Sequence, residues 1–147
     1  MVEDLLREFV GTDWLAEVDL DTLERVNASY VSDDLKDRED DIVWRVKAKD
    51  RWLYVYILLE FQSRVDRFMA LRMMVYVGLL YQDLLRGKHT GAKDLLPPVL
   101  PIVLYNGESR WTAPQDIGEL IDHLPGGIGL GSFRPQMRYL LLDEQRY

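Results

Sequence analysis

Apolar positions along the chain change their period several times, and each change marks an element. Val2, Leu5, Leu6, Phe9 and Val10 recur at helical spacing ahead of Gly11, which predicts an amphipathic helix over 2–10. Residues 13–21 read as a turn and a short helix, 23–31 as a first strand, and the charged stretch 32–40 as a loop. Two runs rich in Trp, Tyr, Val and Ile follow at 41–48 and 52–62, separated by a short polar segment, and together they read as a β-hairpin. Ser63 and Asp66 fit a capping box, so a long helix is expected over 64–86, with Gly87 as its stop. Phe68, Met69, Met73, Tyr76, Leu80 and Leu84 are among the residues that give this helix a broad apolar surface. Pro97-Pro98 leads into the continuous apolar run 99–105, which suits a buried central strand in spite of Pro101. Asn106-Gly107 reads as a turn whose backbone needs positive φ, 116–124 as a short helix, 126–131 as a flexible loop and 138–143 as a last strand.

Glu60 breaks the second apolar run. It lies between Leu59 and Phe61, where a charged carboxylate is costly unless something pairs with it. Strand alternation puts Glu60 and Gln62 on one face with Leu58, Tyr56 and Tyr54. An even loop, Lys49-Asp50 or 48–51, sets Asp41 opposite Leu58 on that same face, whereas an odd loop turns it away and brings Asp40 forward. In the even register two carboxylates about 5 Å apart repel by about 3 kcal/mol at an effective dielectric of about 20. A cation removes that cost, and oxygen ligands with no cysteine and no nearby histidine favour Mg²⁺ or Mn²⁺ over zinc.

Length and composition narrow the class. A chain of 147 residues without cysteine fits one domain with a substantial core, excludes disulfides and thiolate metal sites, and is compatible with a reducing cytoplasm. The uncharged stretch of the long helix, 73–82, is too short to span a bilayer. The net charge of −7 hides an asymmetry, because residues 42–93 carry ten basic and four acidic side chains. Arg64, Arg67 and Arg72 near the start of the long helix, with Lys47 and Lys49 on the hairpin, are the candidate phosphate contacts. No phosphate-cradling loop, nucleophile elbow or His-Glu-x-x-His helix is present, and neither His89 nor His123 has a spaced partner.

The Asp41 and Glu60-x-Gln62 arrangement resembles the PD-(D/E)XK nuclease site. The blocks Glu24-Arg25-Val26, Ser29-Tyr30-Val31-Ser32-Asp33-Asp34-Leu35, Asp41-Ile42-Val43-Trp44-Arg45-Val46, Leu59-Glu60-Phe61-Gln62-Ser63, Asp66-Arg67-Phe68-Met69-Ala70-Leu71-Arg72 and Leu100-Pro101-Ile102-Val103-Leu104-Tyr105-Asn106-Gly107 resemble the recombination-promoting nucleases, the YhgA-like transposase family. The resemblance implies an α/β fold with an αβββαβ core and a mixed central sheet flanked by helices. It implies one nuclease-like domain over 1–147, lacking a short N-terminal segment and a C-terminal extension. It further implies that Asp41 and Glu60, with the Phe61 carbonyl, bind Mg²⁺ or Mn²⁺ for DNA cleavage in the cytoplasm, with Gln62 where the wider superfamily has lysine. Lys47, Lys49 or Arg64 would then supply the missing charge. The rival readings are a catalytically inactive domain that binds DNA or protein, and a homodimerising assembly domain that uses the helix at 65–85.

Overall fold

The computed structural model describes residues 7, 17–26, 41–60, 65–88, 95–126 and 128–144, with the side chain of Asp41 outside that description. Its centre is the expected hairpin. Strand β2 (Asp41–Ala48) pairs antiparallel with β3 (Arg51–Glu60) in unbroken register from Ala48↔Arg51 to Asp41↔Leu58. Lys49 and Asp50 connect them with φ of 51° and 69°. Two consecutive positive φ values give the turn a twist that matches the strands, so the loop is the even one.

Strand β1 (Val18–Arg25) adds to the outer side of β2 and begins earlier than the sequence reading placed it. Residues 18–21, expected in a turn and short helix, are extended. Val18 and Leu20 are half-buried while Asp19 and Asp21 are exposed, the period-two alternation of a strand covered on one side. Of the expected helix at 2–10 only Arg7 is described, and it is helical; residues 27–40 lie outside the described residues.

After β3 the chain forms helix α1 (Met69–Arg86) and returns as β4 (Val99–Tyr105), parallel to β3, as a crossover requires. The helix starts later than 64. Asp66 Oδ1 accepts the Phe68 backbone N–H at 2.9 Å, an Asx-type turn that holds residues 66–68 out of the helix. Gly87 caps the C-terminus as expected, yet the positive φ falls on Lys88 at 58°. Strand β5 (Leu140–Asp143) pairs parallel with β4 from Ile102 onward, giving the order β1-β2-β3-β4-β5. Pro101 is tolerated in a central strand because it sits one residue before β5 joins, where no partner needs its missing N–H on that side. The expected helix at 116–124 is a single 3₁₀ turn, Ile117–Leu120. The five-stranded mixed sheet with its crossover helix is the layout of a PD-(D/E)XK-like core.

Both faces of β3 are covered. Tyr54, Tyr56 and Leu58 pack with Val103 and Tyr105 against Met69, Met73, Tyr76, Leu80 and Leu84 of α1. Val55, Ile57, Ile102 and Leu142 form a second core on the other face with Leu20, Trp44 and Leu100. The outer side of α1 exposes Phe68, Leu71, Val75 and Leu85, the surface that the homodimer expectation concerns. No described helix is long and apolar enough to cross a membrane.

Gly107 departs from the expected turn. It has no positive φ, and β4 and β5 are parallel, so no hairpin forms there. Glycine is needed because a Cβ would strike the fully buried Tyr105 ring and hydroxyl. That ring is pinned by a 2.6 Å hydrogen bond from its hydroxyl to the Ser109 carbonyl and by edge contact with Trp111 at 4.9 Å. Gly107→Ala is therefore expected to lower stability by about 1–3 kcal/mol through overpacking, read from urea denaturation. Asp50→Gly relieves the left-handed conformation in the turn and is expected to raise stability by about 0.5–1 kcal/mol in the same assay, with the register unchanged.

Candidate active site

Glu60 ends β3 on the face that packs against α1 and is only 6% exposed. Its cation comes from that helix. Arg72 Nη1 donates to Glu60 Oε2 at 3.2 Å and to Asp66 Oδ2 at 3.1 Å, so one guanidinium nitrogen bridges two carboxylates. Arg72 Nε also donates to the Tyr76 hydroxyl at 3.4 Å, one helical turn along. The Tyr76 ring stacks on Tyr56 at 6.1 Å and 24°, which ties this cluster to the middle of β3. Burial by itself would lower the Arg72 pKa, but hydrogen bonds to Tyr76, Asp66 and Glu60 outweigh it and raise the value. Arg72 is a permanent cation.

The strand ends extend the polar row across the sheet. Tyr105 pairs with Glu60, and Asp143 pairs with Tyr105, so all three stand level at the C-terminal ends of parallel β3, β4 and β5. Asp143 is 6% exposed, like Glu60. Burial pushes the Tyr105 hydroxyl up, and the charges of Asp143 and Glu60 push it further, so it stays a neutral donor. The Asn106 backbone N–H donates to the Glu60 carbonyl at 3.0 Å and carries the ladder just past the strand end. The C-terminal ends of parallel strands are where open α/β sheets bind ligands.

The register pairs Asp41 with Leu58, one diagonal step from Glu60 and in the same alternating row, about 7–8 Å away at the backbone. Asp40, Phe61, Gln62, Ser63 and Arg64 lie outside the described residues. Arg67 is exposed in the turn before α1. Lys47 and Lys49 are not brought to this end of the sheet. Lys47 pairs with Trp52, eight strand residues or about 26 Å from Glu60. Its Nζ sits 5.1 Å from the Trp52 ring, beneath which Arg45 also stacks at 4.1 Å, and Lys49 pairs with Glu17 at 2.8 Å. Neither lysine lies near Glu60.

Of the two expected ligands, Glu60 is a buried carboxylate and Asp41 is its diagonal neighbour by backbone register. Carboxylate oxygens are the ligand type of a hard cation such as Mg²⁺, whose shell water and substrate phosphate can complete. Among the described residues, which omit the Asp41 side chain, no group of three or more His, Cys, Asp or Glu is placed to hold a metal ion. The sequence reading gives Asp66, Tyr76, Tyr105 and Asp143 no role in a site. The i, i+4 spacing of Arg72 and Tyr76 was visible there, but the level of Asp143 depends on a parallel register that one sequence does not fix.

The whole chain, residues 1–147, matches the family described as "Putative transposase, YhgA-like". It is 37% identical over 89 residues to "Recombination-promoting nuclease RpnD" of Escherichia coli O157:H7, covering 60% of this chain and 33% of the relative. It is 33% identical over 108 residues to "Recombination-promoting nuclease RpnA" of Escherichia coli K12, covering 71% and 36%. "Inactive recombination-promoting nuclease-like protein RpnE" of the same strain is 32% identical over 90 residues, covering 61% and 29%. The chain thus spans about a third of the length of these relatives. No solved structure matches it significantly. With the family match running from end to end and relatives named as nucleases, the chain belongs to the YhgA-like transposase family.

Proposed function

We propose that this chain is the cleavage domain of a metal-dependent DNA endonuclease that hydrolyses phosphodiester bonds and promotes recombination in the cytoplasm. The observation that carries the proposal is the buried Glu60 carboxylate at a strand end, one diagonal step from Asp41. Relatives named as nucleases support it. Asp41 and Glu60, with the Phe61 carbonyl, would hold Mg²⁺ or Mn²⁺. When bound, such a cation lowers the pKa of a coordinated water and offsets charge on the phosphate. Gln62 would orient the water through its amide, which carries no charge, so the positive field falls to Arg64 and Arg67. Lys47 and Lys49, at the far end of the hairpin, would touch only DNA that runs along the sheet.

A non-catalytic DNA- or protein-binding domain is the second reading. It is favoured by one specific feature, that Arg72 already neutralises Glu60 without a bound cation, and by a relative named inactive.

Cleavage of supercoiled plasmid separates the two. The endonuclease proposal expects nicking with Mg²⁺ or Mn²⁺, none with EDTA, and a loss of at least about 100-fold in both Asp41→Ala and Glu60→Ala. Absence of metal-dependent nicking by the wild-type protein, or equal nicking in all three, supports the non-catalytic domain instead.

A further inference from the structure

We infer that Arg72 is the positioning residue of Glu60, and that Asp66 and Tyr76 are its anchors; this rests on the proposed cleavage site. Arg72 was a candidate phosphate contact by sequence, yet its Nη1 and Nε are engaged inside the protein by Glu60, Asp66 and Tyr76. Each anchor is itself fixed. Asp66 spends its other oxygen on the Phe68 N–H, at the start of α1, and Tyr76 is buried and stacked on Tyr56. The guanidinium is therefore held by partners that are themselves fixed.

The consequence falls on the carboxylate. Arg72 engages Oε2 of Glu60 and so holds the orientation of the carboxylate at the strand end. Without Arg72 the 6% exposed carboxylate would lose this charge partner and the orientation it imposes. Lysine does not substitute fully, because one ammonium can bridge Glu60 and Asp66 as Nη1 does but lacks the second nitrogen that reaches Tyr76. The site thus depends on a helix residue that does not touch DNA.

Arg72→Gln, Arg72→Lys and Asp66→Asn would be compared with wild type in steady-state cleavage across a salt series, and Arg72→Gln, Glu60→Gln and their double variant by thermal unfolding without metal. Positioning predicts that Arg72→Gln and Asp66→Asn lower kcat by at least about tenfold with KM for DNA and the salt dependence unchanged, and that Arg72→Lys recovers only part. It also predicts that the double variant melts no lower than the less stable single one. A raised KM with a flattened salt slope and intact kcat would show a phosphate contact and overturn the inference. Unchanged kcat and KM, or additive Tm losses, would overturn it too. If the wild type itself does not cut, the cleavage proposal fails, and the unfolding cycle still decides whether Arg72 and Glu60 are coupled.

Discussion

A carboxylate at the end of a strand covered on both faces has to meet positive charge, and the bridge from Arg72 to Glu60 and Asp66 meets that need. The rest of the site is arranged around this bridge. It is tied to the start of α1, because Asp66 both shapes the chain before the helix and holds the guanidinium. It also fixes how the helix lies on the sheet, since Tyr76, one turn on, reaches Arg72 and rests on Tyr56 of β3.

The sheet supplies the second constraint. A two-residue turn with both φ positive sets the hairpin register, and that register brings Asp41 diagonal to Glu60. The parallel strands then align Tyr105 and Asp143 at the level of Glu60. Tyr105 keeps its hydroxyl neutral between two carboxylates and donates a hydrogen bond to the Ser109 carbonyl, while Gly107 leaves room for the ring. Buried carboxylates in a low-dielectric setting interact strongly with any positive charge that reaches them, as Glu60 does with Arg72.

Legibility followed the range of the interaction that decides each feature. The hairpin, the body and C-terminal end of the long helix and the strand at 99–105 are set by local apolar patterning, and they appear where that patterning placed them. Val18 to Asp21 show a period-two alternation of only four residues, with Asp19 and Asp21 outward, too short to stand out from the turn-like sequence before it. The start of α1 was misplaced because Asp66 bonds backward into a turn instead of acting as the third helical residue. Gly107 was understood as a φ requirement when the need is for space beside a side chain two residues away in sequence. The Arg72 bridge and the alignment of Asp143 lay beyond sequence reading. Both depend on how α1 and β5 dock on the sheet, which involves residues 12 or more positions apart and a parallel register.

The most direct test of the account is Mn²⁺ binding, measured by electron paramagnetic resonance titration of the free protein beside Asp41→Asn and Glu60→Gln. The account predicts that wild type binds one or two Mn²⁺ and that both variants lose this binding, since each removes one carboxylate charge while keeping the side-chain shape. Equal Mn²⁺ binding by all three proteins, or none by wild type, would contradict it.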